Sequence, residues 1–196
     1  GNLIWERQGN SNYADDSTLW ADSNTPEMRG IKKIVQFYGP KIAIGSDGTI
    51  YINNIELSLI AFDTSGNRLW QRHIDHTNGI FYNENSKYNG NAGNGPQYGF
   101  TSSPKVGQDS NGNDVIYVAT SKDENQGGGD KRLYAIDKDG NKLWNIELSG
   151  ERIIELDVGQ NGNIFAIGDE YNSLRVYNHT NGSLVFQKTV SDNSIT

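Results

Sequence analysis

Leu133-Tyr134-Ala135-Ile136-Asp137-Lys138-Asp139-Gly140-Asn141-Lys142-Leu143-Trp144 is the stretch from which the rest of the chain can be read. It spells a strand, a tight turn and a returning strand. Leu133, Ala135 and Leu143 fall where a strand pair with one buried face would place them. The run Asp137–Asn141 supplies side chains that accept local hydrogen bonds and a glycine that takes positive φ cheaply. The same phrase stands earlier as Leu59-Ile60-Ala61-Phe62-Asp63-Thr64-Ser65-Gly66-Asn67-Arg68-Leu69-Trp70, and in looser form as Leu174–Phe186. The chain opens on its second half, Gly1-Asn2-Leu3-Ile4-Trp5. One hairpin used repeatedly marks a repeat architecture.

Composition agrees with many short strands. Hydrophobic residues make up 34% of the 196, charged residues only 21%, and 23 glycines fill the difference together with abundant asparagine. Such a chain favours tight turns between strands over a helical bundle. The formal charge of −7, with no Lys/Arg run, argues against a nucleic-acid partner. No stretch approaches 18 consecutive apolar residues, so no membrane-spanning helix is expected. Zero cysteines exclude disulfides, thiolate metal sites and cysteine nucleophiles.

The aromatics that close the hairpins, Trp5, Trp70, Trp144 and Phe186, lie 65, 74 and 42 residues apart. Removing inserts of about 25–30 residues leaves a period of about 40–45, the size of one four-stranded propeller blade. The reading is therefore an all-β chain, a β-propeller of four-stranded antiparallel blades with about three blades present. Residues 1–6 are the closing strand of a preceding blade and 7–37 an inserted loop, with a helical turn near Asp22–Met28. Blades follow at 38–74, 101–148 and 149–190, with a second inserted loop at 75–100. Residues 191–196 form a tail or the start of another blade. Three blades do not close a ring, so the expected partner is the rest of a longer propeller chain or a second subunit.

The phrases Thr101-Ser102-Ser103-Pro104, Val115-Ile116-Tyr117-Val118 and Leu133–Trp144 resemble the repeat of the quinoprotein-like (PQQ-type) β-propellers. The spacing Ala61-Asp63-Gly66-Trp70 recurs as Ala135-Asp137-Gly140-Trp144, and weakens to Val176-Asn178-Gly182-Phe186. The resemblance implies that these tryptophans pack between blades, which suits a large aromatic placed once per blade. It also implies two functional branches. One is that of dehydrogenases holding pyrroloquinoline quinone with calcium, whose vicinal disulfide is impossible here. The other comprises non-catalytic surface and scaffold proteins.

In such a ring the inserts 7–37 and 75–100 and the loop near 121–132 project from one face. Function carried on loops above a rigid scaffold is the common arrangement. Trp20, His76, Phe81, Tyr82, Tyr88 and Tyr98 are the candidate binding residues on that face for a protein or glycan ligand, because aromatics give contact area at low entropic cost. The alternative is that these rings pack the loops onto the propeller. Asp109, Asn111 and Asn113 place oxygen donors at alternate positions, as calcium loops do, so Ca2+ is a candidate ligand there; the alternative is a plain turn. His73, Asp75 and His76 form a weaker metal candidate. No Ser-His-Asp set, phosphate loop or zinc motif assembles, and no cofactor other than calcium is expected. The expectation is a secreted, periplasmic or cell-surface scaffold, non-catalytic and not membrane-spanning. The alternative is part of a PQQ-dependent quinoprotein dehydrogenase.

Overall fold

The computed structural model describes residues 41–53, 58–74, 81–83, 98–122, 131–148, 152–168 and 172–189. The closing strand 1–6 with Trp5, the insert 7–37 with Trp20 and its helical turn, His76, Tyr88 and the tail 191–196 lie outside these residues.

Every described element is a strand, and every pairing is antiparallel. The first sheet runs β1 (Lys41–Ile44), β2 (Ile50–Asn53), β3 (Ser58–Phe62), β4 (Arg68–Ile74) and β5 (Phe81–Asn83) in chain order. The second contains β7 (Lys105–Gln108), β8 (Asp114–Lys122), β9 (Lys131–Asp137) and β10 (Lys142–Glu147). In this sheet β6 (Tyr98–Phe100) pairs with the far end of β8. The third is β11 (Ile153–Val158), β12 (Ile164–Gly168), β13 (Ser173–Tyr177) and β14 (Leu184–Thr189). These are three four-stranded blades of a β-propeller. The insert at 75–100 is more than loop, since it contributes β5 and β6 as additional strands.

The hairpin that organises the sequence also organises each blade. Asp137 Oδ1 accepts the backbone N–H groups of Asp139 and Asn141 at 2.9 and 2.7 Å, and Oδ2 accepts the Asn141 side-chain amide at 3.0 Å. Asp63 holds Ser65 and Asn67 in the same way. One carboxylate thus replaces the strand ladder for three donors at the bend.

A bulge follows each of these turns. Trp144 pairs with Ala135 and Lys142 with Ile136, which leaves Leu143 without a partner position. Leu69 and Val185 are skipped in the same manner. The extra residue resets the alternation, so Leu69, Leu143 and Val185 face solvent at 52%, 51% and 57% exposure, while Trp70 and Trp144, which follow the first two, turn toward the next blade. The expectation that Leu143 shares the buried face with Leu133 and Ala135 is corrected by this bulge. The first strand of the same hairpin is also buried on both faces: Leu133, Tyr134, Ala135 and Ile136 are all buried. A middle blade packs against a neighbour on either side, so its inner strands lose the one-sided pattern.

The blades share a cross-strand rung. Tyr51 pairs with Ala61 and Ala61 with Trp70; Tyr117 pairs with Ala135 and Ala135 with Trp144. In both, the small alanine lets the flanking rings meet, with centroids 5.9 and 6.0 Å apart and planes tilted by 39°. Phe165, Val176 and Phe186 hold the corresponding positions in the third blade. There both phenylalanines stand partly open, at 37% and 47% exposure, whereas Trp70 is 7% exposed.

Candidate functional site

The junctions between blades are built from a tryptophan and a glycine. Trp70 Nε1–H donates to the Lys138 carbonyl in the turn of the next blade, at 2.7 Å. Trp144 does the same to the His179 carbonyl at 3.0 Å. The indole lies against the turn glycine. A Cβ on Gly140 would meet Trp70 at 2.9 Å, and one on Gly182 would meet Trp144 at 2.8 Å. Both glycines also have positive φ, +81° and +73°, so they serve the turn and the close approach together. Asp63 and Asp137 close their turns, as the sequence predicts. That the turn glycine is also the neighbour's docking surface was not read from the sequence.

The described blades have two unlike ends. Among the described residues six tight turns gather at one end: β1–β2, β3–β4 and their counterparts in the other two blades. Where the three inner hairpins meet, a cavity of about 630 Å³ is lined by Ser46, Asp109, Asp114, Asn161, Gly162 and His179 among others. Asp114, 5% exposed, accepts the Ser46 N–H at 2.7 Å and so ties the first blade to the second. Burial, reinforced by the negative charges of Asp114 and Asp47, pushes the Tyr51 hydroxyl up to about 12. Burial and Asp109 push Tyr117 to about 12 as well, so both rings stay neutral in the core.

The candidate calcium residues sit at this end. Asp109 Oδ1 accepts from the N–H groups of Asn111 and Asn113 at 2.8 and 2.9 Å, and Oδ2 accepts the Asn113 amide at 3.0 Å. This is the arrangement at Asp63 and Asp137, whose turns carry a different set of side chains. The bonds from Asn113, then those from Asn111, hold the Asp109 carboxyl below its ordinary value. These bonds close the β7–β8 turn. Among the described residues no group of three or more His, Asp or Glu side chains is placed to hold a metal ion.

The candidate aromatics belong to the other end. Phe81 and Tyr82 lie on β5, at the register of Ile74 and His73, the end of β4 remote from its turn. Tyr98 lies on β6 opposite Lys122, where β8 runs beyond the blade body. The backbone thus brings Phe81, Tyr82 and Tyr98 to the end from which the long connections leave. Beneath them the blades are stitched by residues the sequence reading passed over. Asn53, buried, donates its side-chain amide to the Ser102 carbonyl at 2.7 Å, and Ser102 Oγ accepts the Ala119 N–H at 3.0 Å. No sequence signal marks this pair, because the burial of Asn53 depends on the neighbouring blade.

A family model described as outer membrane protein assembly factor BamB matches residues 10–196. The chain belongs to that family. No curated protein matches. Among solved structures, BamB from Moraxella catarrhalis is 18% identical, with 77% of this chain and 35% of that one covered at a TM-score of 0.48. A Bacteroides caccae protein of unknown function gives 13% identity, coverages of 79% and 47%, and a TM-score of 0.47. Virginiamycin B lyase from Staphylococcus aureus gives 10%, coverages of 79% and 57%, and 0.35. The chain therefore spans roughly a third to somewhat over half of the structures it matches. No helix among the described residues is long and apolar enough to cross a membrane.

Proposed function

We propose that this chain is a non-catalytic propeller scaffold of the cell envelope that binds a protein partner through the end bearing its long connections. The observation that carries the reading is the family match over residues 10–196, since the family model is described as an assembly factor for outer membrane proteins. The asymmetry of the blades supports it. One end is spent on tight turns that dock neighbouring blades, whereas the other carries β5, β6 and the extension of β8. A protein partner is favoured over a glycan by the family description. Further blades, on the same chain or a second subunit, are the other expected partner: Ile42 and Ile44 at one end of the array and Phe165, Ile167 and Phe186 at the other are exposed apolar residues.

The dehydrogenase reading finds little support at the cavity. A quinone would need an aromatic platform, and the described indoles, Trp70 and Trp144, are committed to blade junctions.

Replacing 84–97 and 123–130 by short Gly-Ser linkers, in separate variants, tests the proposal. Binding to partners from an envelope extract should fall at least tenfold in one or both, while Asp109→Asn leaves it unchanged. Equal binding by all three overturns the assigned end. A near-ultraviolet quinone band after addition of pyrroloquinoline quinone and calcium, with dye-linked alcohol oxidation, would establish the dehydrogenase reading instead.

A further inference from the structure

Beyond the rung residues Tyr51, Tyr117 and Phe165, the three inner hairpins do not reach equally far. Ile50 and Ile164 stand next to the rung and already form the last ladder pairs, with Ile44 and Val158. In the second blade Val115 and Ile116 intervene, and the last pair is Gln108 with Asp114. The β7–β8 hairpin therefore runs about 7 Å further than its neighbours at the tight-turn end.

That extra step carries Asp114 to the turn of the first blade. Its Oδ2 accepts the Ser46 N–H at 2.7 Å and lies 2.5 Å from where a Cβ on Gly45 would stand, so only glycine admits the carboxylate there. Asp114 is 5% exposed, and its Oδ1 has no hydrogen-bond partner among the described residues. Tyr51, whose ring edge also approaches Gly45, makes no bond to it. A carboxylate withdrawn from water and left half-bonded is costly, so the arrangement calls for a donor that the described residues do not supply.

Asp114 lines the cavity of about 630 Å³ where the inner hairpins meet, a volume in the range of small-molecule sites. Ile44, Val106 and Val158, one from each inner strand, give it an aliphatic wall. Asp109 adds a second negative charge, although its own oxygens are engaged by its turn. Among the described residues no Lys, Arg, Phe, Tyr or Trp lines the cavity. An anion would therefore meet two carboxylates, and a planar ring would find nothing to stack on. Nor do three acidic or imidazole groups converge to hold a metal ion. An alkylammonium suits what is present: three N–H donors on a positive charge, carried by methylenes that lie well on hydrocarbon.

We propose that this cavity is a binding site for an alkylammonium group, which donates to the Asp114 carboxylate and lays its methylenes on Ile44, Val106 and Val158. The group belongs to a free aliphatic diamine or to a lysine side chain of a polypeptide. The site lies at the end opposite the long connections, so it stands whichever partner those connections bind.

Titration of cadaverine, and separately of acetyl-lysine methylamide, into the nitrogen-15-labelled 196-residue chain tests it by NMR. Pentanediol and the side-chain-acetylated lysine derivative are the neutral counterparts. At least one amine should shift the Ser46 and Asp114 amide signals with a Kd of about 1 mM or tighter, and its neutral counterpart should bind at least about tenfold more weakly. A response to cadaverine alone assigns the free diamine, and a response to the lysine derivative alone assigns the side chain. Asp114→Asn, which keeps an acceptor for Ser46, should weaken binding at least about tenfold. Gln160→Lys, on the exposed rim, should weaken it about threefold by like charge and serves as the deciding variant if Asp114→Asn does not fold. The proposal is overturned if neither amine shifts these signals at about 10 mM. Equal binding of the neutral counterparts, shifts confined to other residues, or unchanged affinity in the deciding variant overturn it as well.

Discussion

The two described blade junctions use one aromatic device and differ in what surrounds it. Between the first and second blades the contact is edged by polar groups: Arg72 on two carbonyls, Asp114 on Ser46, and Asn53 on Ser102. Both junctions enclose an apolar cluster, but between the second and third hydrocarbon takes the edge as well. Ile146 takes the place of Arg72 against Gly182, and Val115, Tyr117, Leu133, Leu148, Ile153, Leu156 and Ile164 form one cluster. An exposed ion pair, Lys105–Glu155 at 3.5 Å, crosses that junction and contributes little. The indole on a glycine is therefore the constant part of the interface. The residue two positions on is free to be a cation or a hydrocarbon, because the surface it meets offers both carbonyl oxygens and a bare Cα.

Removing the constant part should have the largest effect. Trp70→Ala and Trp144→Ala are each expected to lose about 3–5 kcal/mol in denaturant unfolding, in the range for large buried aromatics. The two losses should agree more closely than the differing surroundings suggest. A loss below about 1 kcal/mol at either site would mean that the surroundings, not the indole, hold that junction.

The glycines provide a matched set. Gly112, Gly140 and Gly182 have φ of +80°, +81° and +73°, but an added Cβ at Gly112 meets nothing within 4 Å. Gly112→Ala should cost about 1–2 kcal/mol for the left-handed backbone alone. Gly140→Ala and Gly182→Ala should cost about 1–3 kcal/mol more through overpacking against the indole. Equal costs at the three sites would remove the docking role assigned to the second and third.

Exchanging the variable residue should have a smaller effect. Arg72→Ile is expected to lose about 1–2 kcal/mol, because two carbonyls lose charge-assisted donors but are near enough to solvent to recover water. Ile146→Arg should be nearly neutral if the carbonyls around Gly182 can take the guanidinium. Chemical denaturation of both, with the double exchange, measures whether the two junctions are interchangeable.

The smallest effect is that of pH at the β7–β8 turn. The Asp109 carboxyl lies below its ordinary value, so its folded form contributes stability that is complete above the unfolded value of about 3.9 and is lost as pH falls through the lower folded value. Asp109→Asn should abolish that part of the acid dependence. Because the carboxylate is engaged by its own turn, millimolar calcium against chelator is expected to leave the melting temperature unchanged. A rise with calcium that Asp109→Ala removes would restore the metal reading.

The sequence by itself determined the repeat, the four-strand period and the two turns per blade. Those depend on local chemistry: an aspartate, a glycine and an asparagine at fixed offsets close a bend wherever they occur. It also marked Trp70 and Trp144 as interface residues, because one large aromatic per blade has little other use. Only the tertiary structure decided which way the strands face. The bulge before each outer aromatic adds a residue without any compositional mark, so Leu143 reads as core and lies in solvent. Tyr134 and Ile136 alternate with Leu133 and Ala135 and would face solvent in a strand with one buried face, yet they are buried because a second blade covers them. Nor could Gly140 be read as a docking surface, since the ring that lies on it comes from Trp70, a residue far away in sequence. Local hydrogen bonds are written in neighbouring residues, whereas burial depends on which distant surface arrives, and that is settled only when the blades stack.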